Sequence, residues 1–439
     1  MSASFSRIWK SAWTAVLAVG VAVMSLFPYR ALMNYHEQTH MFRWSGYYLR
    51  EQWSSLEGVG EYVLSFITQF FYVGWLGAAV LAVIAVALQL LVWLLFKLCR
   101  LRQAWAYPLT LIPSLLVLYL VFVPSAFRTD GEFREMVTYD YLVRAQRWNS
   151  VLARSYHHEP QTMCGVWCTN YALAKKGRLL NDMFLYKQDG PDGLLMDAVR
   201  MPPMSLYSLS DISMDLGMIN SAERFAFDAK QRLPHGNKSG RLYKRLAEAN
   251  LANGYYKVAR KYLHALQSTL FYSAWANRQM TLLGHEAAVN GDKTYAQYRS
   301  FRQKDNDELA YAKDQMLSQL VAESPKNKLA ADYLLALEML RLDLEHVTIY
   351  TQMLRQRDNW QYTPKAIQES VAGYWILSHP NDSLPFPINE NIFRNTVVFL
   401  QTVNSSGNVL TPSLDVPPHN QSYWHYHTQA LAKLKKLRP

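Results

Sequence analysis

The chain has 439 residues, which is enough for two or three domains, and half of them are hydrophobic. A formal net charge of +11 would suit a nucleic-acid-binding protein, but the basic residues are scattered along predicted helices or lie beside apolar segments. We therefore exclude nucleic acid as a partner. Hydrophobic residues are concentrated in the first 127 residues, so the composition predicts a membrane portion followed by a soluble one.

Three apolar segments are long enough to cross a bilayer. They are residues 11–28, 74–96 and 105–123, within a predicted membrane domain of residues 1–127. The first segment follows Arg7 and Lys10, as in a signal peptide, but no small-x-small cleavage site follows it. We therefore predict that it is an uncleaved anchor.

The loop between the second and third predicted spans carries Lys97, Arg100 and Arg102. By the positive-inside rule this loop is cytoplasmic, and the basic residues before the first span agree with that orientation. Three spans with a cytoplasmic N-terminus place everything after Arg128 outside the cytoplasm. In a bacterial cell this predicts an inner-membrane protein with a periplasmic C-terminal part.

Residues 58–73 (GVGEYVLSFITQFFYV) form an apolar segment directly before the second predicted span. A continuous helix over both would have about 39 residues and measure roughly 58 Å, too long for one crossing. We therefore predict an interfacial helix over this segment, with projection from the membrane as the alternative. Its polar residues fall on one side of that helix, at Glu61, Ser65, Thr68, Gln69 and Tyr72. We expect this stripe to face water; the alternative is that it lines a cavity, as in a transport accessory protein.

Residues 36–40 read HEQTH and fit the zinc-protease pattern H-E-x-x-H. In a zinc hydrolase, His36 and His40 would bind the metal and Glu37 would act as general base. Such a site needs a third protein ligand, and the predicted spans contain no Asp or Glu. The neighbouring residues are typical of an aromatic belt at a membrane interface: Tyr35, Met41, Phe42, Trp44, Tyr47 and Tyr48. We keep the zinc hydrolase as the alternative hypothesis and predict no catalytic residue, metal or cofactor.

The soluble part repeats itself with a period of 37 residues. The three units share a glycine and, five residues later, an alanine: Gly217, Gly254 and Gly291, then Ala222, Ala259 and Ala296. Pro234 closes the first unit. Glycine allows a turn between paired helices and small alanines allow close helix packing, so the pattern resembles a degenerate tetratricopeptide repeat. We predict an all-α chain, with membrane helices followed by a tetratricopeptide-like α-solenoid over residues 128–378.

Residues 379–439 are rich in Pro and Asn and are predicted to hold one short helix and a basic tail. The tail carries Lys433, Lys435, Lys436 and Arg438. We interpret it as a solvated C-terminus, with contact to a membrane surface as the alternative. His425 and His427 stand among aromatic residues that we expect to pack the end of the solenoid; a metal site is the alternative.

Cys164 and Cys168 stand in MCGVWC, four residues apart. Side chains at this spacing on a helix run nearly parallel, which is poor geometry for a disulfide. A structural zinc site would favour a different spacing and four ligands. We therefore interpret both as buried core cysteines.

Several of these stretches together resemble a bacterial multi-pass membrane family of unknown function. They are Glu37-Gln38 and Phe42 after an N-terminal anchor, residues 58–72, two further spans, a helical-repeat half and SYWHYH near the end. The family pattern emphasises the Glu-Gln pair and the run Gln69–Tyr72, but not the histidines beside the pair. The resemblance implies the membrane topology and no catalytic activity.

Our leading functional hypothesis is a membrane-anchored scaffold or assembly protein that binds a protein partner outside the cytoplasm through the solenoid groove. Tyr255, Tyr256, Arg260 and Tyr262 suit such a surface. Alternatively, these tyrosines pack between repeats. The lipid bilayer is the second expected partner.

Overall fold

The computed structural model describes residues 3–101, 103–195, 201–233, 238–303, 312–358, 360–407 and 409–437. Across these ranges the regular structure is helical and contains no strand, which confirms the all-α class. Two compact units divide the chain: unit 1 comprises Met1–Tyr141 and Ala226–Ala288, and unit 2 comprises Leu142–Phe225 and Val289–Pro439. Unit 1 thus combines the apolar N-terminal part with a later helical segment.

The helices that begin before residue 142 are α1 (Ala3–Leu26), α2 (Arg30–Thr39), α3 (Gly46–Gln52), α4 (Leu56–Thr68), α5 (Gly74–Leu98), α6 (Leu111–Phe122), α7 (Ser125–Thr129) and α8 (Gly131–Arg144). The next are α9 (Trp148–His157), α10 (Met163–Lys175), α11 (Leu179–Asp182), α12 (Pro203–Leu216), α13 (Ile219–Gln231), α14 (Gly240–Asn253), α15 (Tyr256–Gln267), α16 (Ser273–Met280) and α17 (Glu286–Gly291). The last are α18 (Lys293–Phe301), α19 (Lys313–Glu323), α20 (Lys328–Arg341), α21 (Leu344–Asp358), α22 (Lys365–Ser378), α23 (Glu390–Ser405) and α24 (Tyr423–Leu437).

Three helical segments of unit 1 are long and apolar enough to cross a membrane: Ser4–Leu26, Gly74–Leu98 and Ala104–Phe122. They agree closely with the three predicted spans. The third begins with short 3-10 turns at Ala104–Ala106 and Pro108–Thr110 before α6. Trp93 and Tyr107 form a small core between these helices.

Residues 58–73 do not form one continuous helix with the second apolar segment. After α4, a 3-10 turn covers Gln69–Tyr72, and Val73 is extended with φ −102° and ψ 112° before α5 begins. Gly77 faces this turn, and a Cβ there would lie 2.6 Å from a ring carbon of Phe71. The close approach therefore requires glycine at this position.

The repeat is regular in its first two units only. Gly217 and Gly254 end α12 and α14 in the left-handed conformation, with φ of 89° and 81°. Ala222 and Ala259 are fully buried, as close helix packing requires. Gly291 instead is the last residue of α17 and has no left-handed φ. Pro234, expected to close the first unit, lies outside the described residues.

The core of unit 2 contains helices that are buried on nearly every side. In α10 the residues from Cys164 to Ala174 are buried, and in α20 those from Ala330 to Leu340. A helix that is buried all round belongs to the interior of a helical domain. These two helices pack against each other, and α21 packs on α20.

Candidate functional site

The HEQTH segment occupies the end of α2 and lies in the interior of unit 1. His36, Glu37, Gln38 and Thr39 are all buried, each at most 4% exposed. The prediction that the neighbouring residues form an aromatic belt at a membrane interface is wrong for Met41, Phe42 and Tyr48, because these are buried too. Trp44 and Tyr47 do lie on the surface, 57% and 73% exposed.

His36 contacts the end of the third apolar helix. Its Nε2 lies 2.8 Å from the carbonyl oxygen of Phe122. Because a carbonyl can only accept, Nε2 carries the proton of the neutral ring and Nδ1 keeps a lone pair. Burial and, to a smaller extent, the neighbouring His40 lower the pKa of His36 to about 4, although the hydrogen bond to the Phe122 carbonyl opposes the shift. His36 is therefore neutral at pH 7.

Glu37 is linked to a residue far along the chain. The Tyr272 hydroxyl donates to Glu37 Oε1 at 2.7 Å, and both side chains are buried. Two main-chain bonds follow in the next residues, from the Met41 N–H to the Lys238 carbonyl at 2.9 Å and from the Trp44 N–H to the Ser268 carbonyl at 2.6 Å. The chain after α2 is thus bound to the segment that carries α14 and α15.

Gln38 belongs to a buried polar network with Asp140 and Arg241. Arg241 Nη1 donates to Asp140 at 2.8 and 3.0 Å, and Gln38 Nε2 donates to the same carboxylate at 3.3 Å. Arg241 also donates to the Gln38 amide oxygen. Asp140 is 1% exposed and Arg241 9%. A buried ion pair of this kind is tolerated only when further hydrogen bonds satisfy it, as Gln38 does here.

The prediction that the polar stripe faces water is wrong for Ser65, Thr68 and Gln69, which are buried, whereas Tyr72 is 40% exposed. Gln69 lines a cavity of about 20 Å³ that Glu37 and Tyr272 also border. That space holds roughly one water molecule, so it is too small for a substrate.

The HEQTH geometry gives no support to the zinc-hydrolase hypothesis. The His36 Nε2 atom is engaged by the Phe122 carbonyl, and His40 Nε2 lies 3.7 Å from Glu61 Oε2. Across the part of the chain that the structure describes, no three His, Cys, Asp or Glu residues are grouped to hold a metal. The buried polar groups of α2 instead join segments of the fold.

The remaining cysteine and histidine candidates are part of the packing of unit 2. Cys164 and Cys168 are free and buried, which confirms their interpretation as core residues. His425 Nε2 lies 3.0 Å from Asp415 Oδ1, and burial lowers the pKa of His427 to about 4. The neighbouring Trp424 is buried, and its indole N–H donates to the Glu369 carbonyl at 2.7 Å, so this aromatic end packs as expected.

The tyrosines proposed for a partner surface divide between two environments. Tyr255, at the start of α15, is 51% exposed, and Arg260 on α15 is exposed too. Tyr256 donates to Glu286 Oε1 at 2.5 Å. Tyr262 packs edge-on against Tyr243, with ring centroids 5.5 Å apart. Tyr255 and Arg260 are thus exposed, whereas Tyr256 and Tyr262 make contacts within the fold.

Asp140, Arg241 and Tyr272 were missed by reasoning from the sequence, because none belongs to a motif. One signal was present. Asp140 lies three residues after Val137 and three before Val143, and both valines are buried. A carboxylate on the apolar face of a helix requires a buried partner, although the sequence does not identify it.

The comparisons with known proteins give one match. The model of a family of unknown function, DUF6057, matches residues 6–130 and 122–430. No curated protein and no solved structure matches the chain.

Proposed function

Because this chain belongs to DUF6057, a family of unknown function, we propose a role from its own geometry: a non-enzymatic, membrane-anchored helical scaffold that binds a protein partner outside the cytoplasm. One observation carries the proposal. The buried polar groups of α2 hold the α14–α15 helix pair against the apolar helices of unit 1, through Glu37 with Tyr272 and Gln38 with Arg241. A helix pair fixed in this way presents a defined surface next to the membrane.

The outer side of α15 supports a partner-binding role. Its exposed residues combine basic and apolar side chains: Tyr255, Lys257, Val258, Arg260, Lys261 and His264. Exposed Tyr and Arg are enriched in protein interfaces, and basic residues select an acidic partner. The inner side of α15 packs through Ala259, Leu263 and Leu266, so the helix keeps one face free for binding.

The tetratricopeptide-like solenoid belongs to the same proposal. The left-handed turns at Gly217 and Gly254 support it, together with the buried alanines that follow them. Stacked helix pairs of this type form extended concave surfaces that bind peptides or helices of other proteins.

The proposed topology places the loop around Lys97 and Arg100 in the cytoplasm and the helical remainder in the periplasm of a bacterial cell. Of the three cysteines in the sequence, Cys99 is exposed in that loop, whereas Cys164 and Cys168 are buried. A membrane-impermeant maleimide should therefore label Cys99 only after the inner membrane is opened. A Ser54→Cys variant, whose site is exposed between α3 and α4, should be labelled in intact spheroplasts. Labelling of Cys99 in intact spheroplasts would show that the proposed topology is inverted.

The partner is tested by crosslinking in cells. A photo-reactive amino acid at Tyr255 should give a discrete crosslinked product with another protein, and the pair Arg260→Glu and Lys261→Glu should abolish it. Tyr156, which is 60% exposed on α9, is the matched control position and should give no such product. No crosslink at Tyr255, or the same product from both positions, would contradict the scaffold function.

A further inference from the structure

A polar cleft of about 560 Å³ opens within unit 2. The ends of α10 and α12, all of α18 and the first turn of α20 enclose it. Its charged lining residues are Lys175, Asp215, Lys293, Lys328 and Asp332. The volume lies within the range of about 300–1,000 Å³ that is usual for ligand sites.

Asp332 is the unusual member of this lining. It is only 7% exposed, although it borders the cleft. Among the residues that the structure describes, none makes a hydrogen bond or a close ion pair with its carboxylate. Burial raises the pKa of Asp332 to about 6, with Lys328 opposing the shift from the same helix. Buried carboxylates are normally satisfied by donors, so Asp332 can accept a hydrogen bond from a ligand.

The other carboxylate of the cleft is already satisfied. Asp215 accepts hydrogen bonds from the Lys175 ammonium at 2.8 Å and from the Tyr171 hydroxyl at 2.5 Å. Lys293 and Lys328 are exposed, and in the described ranges no carboxylate lies within ion-pair distance of either ammonium. The cleft therefore offers two available cationic groups and one buried acceptor.

We propose that this cleft binds an acidic peptide segment of a partner protein, in which a main-chain N–H donates to Asp332 and side-chain carboxylates pair with Lys293 and Lys328. The inference rests on the proposed scaffold function and specifies the chemistry of the segment recognised.

Other ligand classes fit the same groups less well. A phosphate ion would pair with the lysines and could donate an O–H to Asp332, but it would place its own negative charge directly against that carboxylate. A metal cation would be repelled by three lysines and needs several oxygen ligands. A peptide supplies neutral N–H donors and carboxylates at neighbouring positions, so it satisfies both kinds of group at once.

The test uses the full chain in detergent micelles and a library of random heptapeptides. Immobilised protein selects peptides, which are sequenced, and the most enriched peptide is labelled with fluorescein for anisotropy measurements. We expect the selected peptides to contain an excess of Asp and Glu. Lys293→Ala combined with Lys328→Ala should weaken binding by more than about tenfold.

Two variants control for unfolding and for bulk charge. Lys176→Ala with Lys326→Ala removes the same charge from exposed positions that do not line the cleft, and it should change binding less than about twofold. Asp332→Asn keeps an acceptor oxygen but removes its charge, so it should weaken binding by about tenfold while the protein stays folded. Thermal unfolding of each variant checks the fold.

The proposal is overturned if no peptide is selected, if the selected peptides show no acidic excess, or if the two lysine pairs have equal effects. These outcomes differ from failure of the scaffold function. If Tyr255 crosslinks to a partner but the cleft shows no preference for acidic peptides, the scaffold function is supported and the acidic-peptide proposal is refuted. Acidic selectivity without any crosslink at Tyr255 would contradict the scaffold function as proposed and support only the ligand chemistry of the cleft.

Discussion

Two buried aspartates, one in each unit, have opposite surroundings. Asp140 in unit 1 is 1% exposed and accepts from Arg241 at 2.8 and 3.0 Å. Asp332 in unit 2 is 7% exposed and has no such donor among the described residues, and burial raises its pKa to about 6. The comparison shows that burial alone does not define a role for a carboxylate. A satisfied carboxylate fastens helices together, whereas an unsatisfied one beside a cleft is suited to bind a ligand.

The largest effect is expected from breaking the satisfied pair. Arg241→Ala should lower the free energy of unfolding by about 3–5 kcal/mol, because it leaves Asp140 charged and buried without its main donor. Denaturant unfolding in detergent micelles measures this loss. The double variant Asp140→Leu with Arg241→Met should recover most of the stability, because apolar side chains can replace a buried ion pair. A loss below about 1 kcal/mol in the single variant would show that the network contributes little.

Substitution of the unsatisfied Asp332 is expected to raise, not lower, the free energy of unfolding. The folded pKa of Asp332 is raised to about 6 from 3.8, so the folded state holds the proton more tightly than the unfolded state. The free energy of unfolding therefore falls as the pH rises from about 4 to about 6 and stays low above that range. Asp332→Asn should stabilise the ligand-free protein by roughly 3 kcal/mol at pH 7 and have little effect below about pH 4.

Denaturant unfolding across this pH range checks the prediction for Asp332. Asp382→Asn is the control at an exposed position and should leave stability unchanged at each pH. If Asp332→Asn destabilises the protein at pH 7, the carboxylate has a partner inside the fold.

A smaller effect is expected at the second buried link of unit 1. Tyr272→Phe removes the hydroxyl that donates to Glu37 and should cost about 2 kcal/mol, because both groups are buried. Tyr256→Phe removes a comparable hydroxyl–carboxylate bond at an exposed site and should cost less than about 1 kcal/mol. Equal losses in the two variants would mean that burial does not strengthen the Glu37 link.

Substitution of His36 or His40 is expected to have no effect on the metal content of the protein. Protein purified without chelators should contain no stoichiometric zinc, and His36→Ala and His40→Ala should not change this. The expectation follows from the His36 Nε2 contact with the Phe122 carbonyl. Near-stoichiometric zinc that both substitutions abolish would restore the hydrolase hypothesis, and elemental analysis distinguishes the outcomes.

Local patterns predicted the local structure well. The apolar runs identified the three long helices to within a few residues at most ends, because hydrophobic length is a property of the sequence itself. The length limit on a single crossing indicated that residues 58–73 are not part of the second span, and the helix does break before Gly74. The turn glycines Gly217 and Gly254 were identified from their spacing, since left-handed φ strongly favours glycine.

The buried site could not be predicted in the same way. Gln38 and Arg241 are separated by 203 positions and Glu37 and Tyr272 by 235, so no local pattern connects them. Aromatic residues beside HEQTH suggested a membrane interface, but Phe42 and Tyr48 pack inside unit 1. Asp332 was missed for a related reason: its burial depends on the helices that surround α20, which its own segment does not specify.

The 235-residue separation between Glu37 and Tyr272 also has a consequence for biosynthesis. At a translation rate of about 5–20 residues per second, the ribosome reaches Tyr272 roughly 10–50 s after Glu37. During that interval α1 can already be inserted while Glu37 and Gln38 lack the tyrosine and arginine that later satisfy them. We therefore expect the nascent α2 to stay hydrated until the later segment is made, so that its burial is a late step of folding.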